Sequence, residues 1–441
     1  MSAETIGASF DTVTGRPTAT LPWRQLARLS LYWLGLTAID GAVGLFIQNR
    51  LNFGGFADPG EVGRVTFLLS LPVAIISIVV QPTVGSISDY TTSRWGRRKP
   101  YIVFGSLVDL VFLAGLAMAN NVLVLGAFAA LLAVSTNIAR GPFQGYVPDL
   151  IAEKQVGIAS AMVGLMQILG NVTGFVAVTL AVLAGRIELA ILAVGIIELV
   201  TMIAVVARVP EGQPPRPRNG KRWRTIAGET WGTDVLKERS YVWLLTSRFF
   251  FLMGGAMLVN YVLVYLKQTH NLGEEAANAT SLTILVTIVV TNVIAIIPSA
   301  KLSDRIGRKP IIYASCVIGF TGVATAALAP SIPIALLGSG LFGAAAGTFL
   351  AVDWALMTDI IPKAASGRYM GLSNVATTAS TLIALATGGL LLDAVGASFG
   401  LDVGPRATYL LGAVYFVIAA LTLRPVVEPR RGRRATDPAA A

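Results

Sequence analysis

Long apolar blocks, separated by short polar segments, run along almost the whole chain. Twelve of them approach the roughly 20 apolar residues that a helix needs to cross a bilayer, and they lack the alternating pattern of a barrel strand. Because lipid offers backbone groups no hydrogen-bond partner, spanning segments of this kind must be helical. The pattern therefore predicts an all-α membrane protein with twelve transmembrane helices. The expected spans are residues 27–49, 65–87, 101–119, 122–147, 157–184, 187–208, 241–266, 278–300, 311–329, 332–360, 368–392 and 408–424.

The composition supports this prediction. Of the 441 residues, 54% are hydrophobic and only 13% are charged, against roughly 25% charged residues in soluble domains. Cys316 is the only cysteine and lies in an apolar block, which excludes a disulfide framework and a cysteine-based metal site. The sequence shows no phosphate-binding loop, nucleophile triad or metal cluster, so we expect no enzyme, no cofactor and no metal. The polar residues before the first block predict no cleaved signal peptide.

The positive charges fall mainly on one side of the predicted spans. If both termini are cytoplasmic, 27 Lys and Arg residues lie in inner segments and only 5 in outer ones. Such an asymmetry is the positive-inside signal of multi-pass proteins, so we expect an inner-membrane protein with both termini cytoplasmic. The formal net charge of +10 then reflects topology and contact with anionic lipids. We expect the lipid bilayer as a partner, no nucleic acid, and a monomer.

A stretch rich in Pro and Arg separates the first six spans from the last six. Such a composition is typical of a connecting segment rather than of a packed domain. The expected division is a cytoplasmic N-terminal segment, an N-terminal six-helix bundle, a cytoplasmic linker, a C-terminal six-helix bundle and a cytoplasmic basic tail. These parts comprise residues 1–24, 25–208, 209–240, 241–424 and 425–441.

Two short motifs occur once in each predicted half. Residues 85–100 after the second span match the shorter stretch 300–310 after the eighth, and 149–157 match 359–367 after the fourth and tenth spans. Parallel repeats of this kind are typical of secondary transporters. An Asp at a helix end beside Arg or Lys can form charge-assisted hydrogen bonds that hold helices together, which favours a cytoplasmic gate over loops that only enforce topology. The expected gate residues are Gly85, Asp89, Arg97, Arg98, Asp149, Asp304, Arg308 and Asp359.

The repeated loop resembles the hallmark of the major facilitator superfamily, in which a Gly is followed four residues later by an Asp and then by Gly-Arg-Arg or Gly-Arg-Lys. Gly85, Asp89 and residues 96–98 carry the pattern in the first half, and the likeness covers nearly all of the chain. The resemblance implies two six-helix halves that work by alternating access. It also implies that the first, fourth, seventh and tenth helices line a central cavity.

A narrower likeness lies mainly in the first half. Residues 88–100, 137–150 and 170–174 resemble the proton-coupled sucrose symporters, which belong to the glycoside-pentoside-hexuronide:cation symporter group. Residues 351–355 are similar to bacterial members of the same branch. The resemblance implies a sugar as the small-molecule substrate and protons as the coupling ion.

Polar side chains within the predicted spans call for a reason, because a charge at the centre of a span costs about 2.5–3.5 kcal/mol on insertion scales. On the fourth span, Asn137, Arg140 and Gln144 recur at positions i, i+3 and i+7, which places them on one helical face. The resemblance directs this face toward substrate; the alternative is an Arg140 that only pairs with a neighbouring carboxylate to join helices. The expected substrate-binding residues are Asn137, Arg140, Gln144, Gln167, Asn171 and Trp354.

The position of the proton-carrying group departs from the pattern of the sucrose symporters. Counted back from Gly141, the family's acidic residue falls on Ala133. Our hypothesis is that Asp40, near the middle of the first span, carries the proton instead, since a carboxylate near Arg140 can change its protonation state as water and substrate come and go. A permanently ionised Asp40 is the alternative. Asp353 on the tenth span is expected to be a second proton site or an inner-gate group.

These features together favour a proton-coupled secondary transporter that imports a di- or oligosaccharide or glucoside by alternating access. A first alternative is a proton antiporter that exports hydrophobic compounds, which would suit the sparse polarity of the second half. A second is a membrane sensor or assembly factor that has the same fold and transports nothing.

Overall fold

The computed structural model describes residues 19–152, 155–209, 217, 220, 222, 225, 238–360 and 366–427. Within these residues the chain forms thirteen α-helices and no strand, so the all-α prediction is confirmed. The helices are α1 (Trp23–Asn52), α2 (Val62–Asp89), α3 (Lys99–Ala117), α4 (Val122–Leu150), α5 (Val156–Leu183), α6 (Glu188–Val206), α7 (Arg239–Asn260), α8 (Val262–His270), α9 (Glu274–Ile306), α10 (Arg308–Ala327), α11 (Ile332–Ile360), α12 (Ser366–Phe399) and α13 (Val403–Thr422).

Twelve of these helices are long and apolar enough to cross a membrane, in agreement with the twelve predicted spans. The seventh span is the one that differs, because two helices, α7 and α8, replace a single helix. The interruption falls at Tyr261, whose backbone leaves the helical region. The buried Tyr261 hydroxyl donates a hydrogen bond to the carbonyl oxygen of Leu385 on α12 at 2.6 Å. A continuous apolar sequence gives no sign of such an interruption.

The described residues cluster into two compact units. The first unit holds α1 to α6, together with α8, the first part of α9, the last part of α12 and the start of α13. The second unit holds α7 except its last two residues, α10, α11 and the remaining parts of α9, α12 and α13. The first unit thus includes helix ends from both halves of the sequence. The domain boundaries expected from the internal repeat remain a prediction.

Helix α1 is the centre of the first unit. In its most apolar stretch 67% of the residues are buried, compared with 17–44% for α2 to α6. It packs on α5 and α6, while α4 packs on α2 and α3. Small residues allow the closest approach: a Cβ atom at Gly174 of α5 would lie 2.4 Å from the carbonyl oxygen of Ala38. Close packing at glycine is a common way to join helices in membranes.

The repeated loop has a specific backbone requirement in both halves. Gly96 has φ 100° and Gly307 has φ 98°, a region that side-chain-bearing residues rarely occupy. Each glycine comes shortly before the helix that follows the loop, α3 or α10. The glycine of the motif therefore lets the chain turn from one span into the next at equivalent points.

Candidate functional site

An ion pair joins α1 and α4 at the centre of the first unit. Arg140 Nη2 lies 2.8 Å from Asp40 Oδ1 and 2.7 Å from Asp40 Oδ2, and 3.4 Å from the carbonyl oxygen of Leu36. The Asp40 side chain is 44% exposed and that of Arg140 is 19% exposed. The two residues that the sequence singled out on these spans are thus in direct contact, in a place that is open on one side.

The open side is a narrow face of α1. The neighbours Ile39 and Gly41 are buried, whereas Asp40 and Gly44 are exposed. A spacing of four residues places Asp40 and Gly44 above one another on the helix, and a Cβ atom at Gly44 would have no neighbour within 4 Å. Asp40 therefore lies on the face of α1 that the helices around it leave uncovered.

The other predicted substrate-binding residues of the first unit have different surroundings. Asn137 is buried, and its Nδ2 donates to Ser77 Oγ of α2 at 2.9 Å and to the Ala133 carbonyl oxygen at 2.7 Å. Asn171 Nδ2 donates to the Gln167 carbonyl oxygen at 3.1 Å, and Gln144 and Gln167 are half-buried. Asn137 thus contacts α2, whereas Arg140 contacts α1.

A second intramembrane ion pair lies in the second unit, between Arg248 of α7 and Asp353 of α11. The Arg248 and Asp353 side chains are only 9% and 1% exposed. This pair is therefore closed to solvent, whereas the Asp40–Arg140 pair is open to it. In the first half of the sequence the acid Asp40 lies on the first span and Arg140 on the fourth. In the second half the two positions are exchanged, with Arg248 on the first span and Asp353 on the fourth. Arg248 was not among the expected site residues, although a charge inside an apolar span signals a functional role.

The expected gate residues of the first half come together as a cluster, called the loop cluster here, of Asp89, Arg97, Arg98 and Asp149. Asp149 contacts Arg97 and lies 2.8 Å from Arg98 Nε, while Arg98 Nη2 donates to Asp89 Oδ1 at 3.0 Å. Both Arg side chains are buried. The cluster joins the ends of α2 and α4 to the segment that leads into α3.

Glycines make room for the loop cluster. A Cβ atom at Gly145 of α4 would clash with the Arg98 guanidinium group, so this Arg occupies space that only glycine leaves free. Gly85 of α2 faces Gly141 of α4, with 3.4 Å between its added Cβ position and the Gly141 carbonyl oxygen. That distance is an ordinary contact, whereas a Cβ atom at Gly141 would lie 2.3 Å from the carbonyl oxygen of Gln81, so the close packing of α2 on α4 depends on Gly141.

The corresponding loop of the second half is described only in part. Arg308 begins α10. Lys309 Nζ donates to the carbonyl oxygens of Arg424 at 2.7 Å and Val426 at 2.8 Å, groups that follow α13 and remain available for a basic side chain. The side chains of Asp304, Trp354 and Asp359 lie outside the described part of the structure.

A buried amide pair joins the two halves of the sequence within the first unit. Asn49 Nδ2 of α1 donates to Asn278 Oδ1 of α9 at 2.8 Å, and Asn278 Nδ2 donates to Asn49 Oδ1 at the same distance. The two amides therefore satisfy each other. No sequence pattern pointed to this pair, because polar residues near span ends are common.

Beside the amide pair, α2 of the first half meets α12 of the second. Gly63 and Gly389 approach so closely that a Cβ atom on either would lie 2.2–2.4 Å from the carbonyl oxygen of the other. Asp393 of α12 accepts hydrogen bonds from the backbone amides of Gly63 at 3.0 Å and Arg64 at 2.6 Å. A carboxylate at the N-terminus of α2 satisfies free backbone donors and interacts favourably with the helix dipole.

Lys267 also belongs to this region. We call the region the interhalf contact, and it consists of Asn49, Gly63, Lys267, Asn278, Gly389 and Asp393. Lys267 of α8 donates to the carbonyl oxygen of Asn52 of α1 and lies over the ring of Phe53, with Nζ 5.1 Å from its centroid. Burial lowers the pKa of Lys267.

Comparison with known proteins agrees with this architecture. The family model described as Major Facilitator Superfamily matches residues 29–292 and 249–440. The sucrose transport protein SUT1 of Oryza sativa subsp. japonica is 34% identical over 125 residues, 23% of each chain. The lactose permease of Lactobacillus helveticus is 31% identical over 103 residues, 20% of this chain and 16% of the permease. Both matches therefore span less than a quarter of the relative's length.

Solved structures with a similar fold cover almost the whole chain. The nucleoside transporter NupG has a TM-score of 0.64 at 13% identity, and the alignment covers 91% of this chain and 98% of NupG. A bacterial homolog of the human lysosomal transporter Spinster, in an inward-facing and unoccupied conformation, has a TM-score of 0.70 at 14% identity, covering 92% and 98%. At these identities the likeness concerns the fold.

The observations agree at each level. Twelve apolar helices make this a multi-pass integral membrane protein, the duplicated loop has a glycine with positive φ in both halves, and the family model covers both halves. The chain belongs to the major facilitator superfamily.

Proposed function

We propose that the protein is a proton-coupled secondary transporter that imports a sugar, with Asp40 as the proton-carrying group and Arg140 as its substrate-sensitive partner. The observation that carries the proposal is the open ion pair: Arg140 contacts both oxygens of a carboxylate that is 44% exposed. Ala133 stands where the sucrose symporters have their acidic residue, and Asp40 offers a carboxylate on the adjacent α1.

The pair allows proton and substrate binding to be coupled. When Asp40 takes up a proton, it loses the charge that holds Arg140. The guanidinium donors then become available to sugar hydroxyl groups. When the proton leaves, Asp40 attracts Arg140 again and the sugar loses that hydrogen bond. The proton thus favours the state of Arg140 that binds sugar, and bound sugar favours protonation of Asp40. Coupling requires such a mutual dependence.

The second ion pair is suited to a different task. Asp353 is almost completely enclosed and its partner Arg248 nearly so, and a buried ion pair is costly to break. We assign this pair to the inner gate of the second unit rather than to proton uptake. Gln144, Gln167, Asn171 and Trp354 remain proposed substrate contacts, and Asn137 is proposed to position α4 against α2 through Ser77.

The cycle also needs contacts that open and close. We propose that the interhalf contact is the outer gate, because its amide pair and its Asp393 cap join helices from the two halves of the sequence. The loop cluster joins α2, α3 and α4 of one half, and we assign it the role of keeping these helices together while the gate moves. This assignment takes the termini as cytoplasmic and the bilayer as an inner membrane, as the distribution of positive charge favours.

A sugar substrate is supported by the local matches to proteins named as sucrose transport proteins and lactose permease. The test is uptake of radiolabelled sucrose, lactose and maltose by the protein in liposomes with an alkaline interior. We expect accumulation of one of them that an uncoupler abolishes. Accumulation that resists the uncoupler would remove proton coupling, and uncoupler-sensitive extrusion of hydrophobic dyes without sugar uptake would favour the exporter.

The role of Asp40 is tested in the same liposomes with Asp40→Asn. We expect loss of uphill accumulation with retained exchange of labelled for unlabelled sugar, because a permanently neutral side chain leaves Arg140 free but carries no proton. Asp58→Asn, the same change at an exposed residue between α1 and α2, is the control and should accumulate sugar normally. Full uphill uptake by Asp40→Asn would contradict the proposed proton site.

A further inference from the structure

Two further acidic side chains lie in the core of the first unit, away from the open face of α1. Asp109 of α3 and Glu198 of α6 are both completely buried. Within the described residues, neither forms an ion pair with Lys or Arg. An ionised carboxylate without a counterion is costly in such surroundings, so two of them side by side need an explanation.

One oxygen of each carboxyl group is well supplied with donors. Asp109 Oδ1 accepts hydrogen bonds from two hydroxyl groups of α4, and Glu198 Oε1 accepts one from α1 and one from α3. These donors are Ser135 Oγ, Thr136 Oγ1 at 2.9 Å, Tyr32 OH at 3.1 Å and Ser106 Oγ at 2.8 Å. Three helices, α1, α3 and α4, therefore direct hydroxyl groups at the two acids, which is the arrangement of a built polar site.

The other oxygen of each group has no donor. Asp109 Oδ2 and Glu198 Oε2 are buried and lack a hydrogen-bond partner within the described residues. Ser106, which donates to Glu198, lies one turn before Asp109 on α3, so the two acids face each other across the same part of α3 and α6. If both were ionised, they would repel and leave two buried acceptors unsatisfied. One proton between them gives a donor to one group and an acceptor to the other.

We infer that Asp109 and Glu198 bind one shared proton and form a buried proton-binding site between α3 and α6, separate from Asp40. The site carries one negative charge in total. Hydroxyl donors stabilise Asp109 Oδ1 and Glu198 Oε1, and the proton removes the charge repulsion between the two carboxyl groups.

The charged and titratable groups around the site are few. Arg140 of α4 is close enough to act on Asp109 through its charge, and Tyr32 of α1 is the other titratable neighbour. Helix α5, which also packs on α6, has no titratable side chain. Arg140 is itself held by Asp40. Arg140 therefore lies between the shared proton and the proposed transport proton, and it links the charge states of the two sites.

Infrared spectroscopy of the purified full-length protein tests the inference directly. At neutral pH the wild type should show the C=O stretching band of a protonated carboxyl group, and both Glu198→Gln and Asp109→Asn should lose it. An amide has the shape of a carboxyl group and donates to the remaining carboxylate, so both variants keep the hydrogen bonds of the site. Glu275→Gln, a change at an exposed acid of α9, and Asp40→Asn should both keep the band.

The alternatives give different spectra. A wild type without the band would mean that both acids are ionised. A band that persists in either amide variant would mean that the acid left behind keeps a proton of its own. Both results overturn the shared proton. The measurement needs no transport, so failure of the proposed sugar uptake leaves this inference untouched.

Thermal unfolding of the same proteins at several pH values is the second measurement. The folded protein keeps a proton that the unfolded chain has lost at neutral pH, so the melting temperature of the wild type should fall as the pH rises. Both amide variants should show a shallower fall, because their amide hydrogen replaces the proton at every pH. An equal slope in the variants would contradict the inference. A rise in melting temperature with Na⁺ that Glu198→Gln abolishes would assign the site to a cation and overturn it.

Discussion

At the residue scale, Arg140 links the two acidic sites of the first unit. Its guanidinium group contacts both oxygens of Asp40 and lies close enough to Asp109 to act on it through its charge. A planar guanidinium group can donate in several directions at once, whereas a lysine ammonium group is a compact point charge. The identity of this residue should therefore matter as well as its charge.

Arg140→Lys tests this requirement. We expect the apparent affinity for the transported sugar to fall roughly tenfold or more, because lysine retains the charge but loses a donor group whose hydrogen bonds are worth about 1.5–3 kcal/mol. The measurement is the concentration dependence of uptake in liposomes. Arg186→Lys, at an exposed position beyond α5, should behave as the wild type. Unchanged affinity in Arg140→Lys would mean that only the charge is needed.

At the element scale, the spans could be predicted closely because lipid imposes one requirement on every segment. The expected 332–360 coincides with α11 (Ile332–Ile360), since a helix must satisfy its own backbone in the bilayer. The interruption at Tyr261 could not be predicted, because it accompanies a contact with Leu385 that is 124 residues away in sequence. The acid of the second ion pair was expected, but its partner Arg248 depended on how α7 and α11 face each other.

The approach of α5 to α1 gives a prediction at this scale. Gly174→Ala should lower the free energy of unfolding by about 1–3 kcal/mol, because an added Cβ atom would lie 2.4 Å from a backbone oxygen of α1 and force the helices apart. The measurement is the melting temperature of the detergent-solubilised protein. Gly164→Ala on the same helix is the matched control, since its Cβ atom would meet nothing within 4 Å. Equal stability of the two variants would show that α1 and α5 can separate without cost.

At the scale of the whole molecule, the sequence halves and the compact units do not coincide. The sequence repeat divides the chain into two sets of six spans, whereas the first unit also contains α8 and parts of α9, α12 and α13. The interhalf contact accounts for this difference, because Asn49, Gly63 and their partners bring those helix ends into the first unit. Its residues are asparagines, glycines, one aspartate and one lysine near span ends, where such residues are common, which is why no sequence pattern identified them.

If the interhalf contact is a gate, fixing it should stop transport. The amide pair gives the means, because Asn49 and Asn278 are in direct contact and the single native cysteine, Cys316, is buried. In a Cys316→Ala background, we expect Asn49→Cys with Asn278→Cys to lose sugar uptake after treatment with a short bifunctional disulfide-forming reagent and to regain it after reduction. Covalent closure would prevent the two halves from separating at this end, and alternating access requires that they separate.

Two controls distinguish a gate from local damage. Each single cysteine variant, treated in the same way, should keep its uptake, because one modified thiol cannot hold the halves together. Substrate protection against unfolding should survive cross-linking if the sugar can still enter from the other end, since a ligand that binds the folded state raises the melting temperature. Full uptake by the cross-linked double variant would show that Asn49 and Asn278 stay together throughout the cycle, and the outer gate would then have to lie elsewhere.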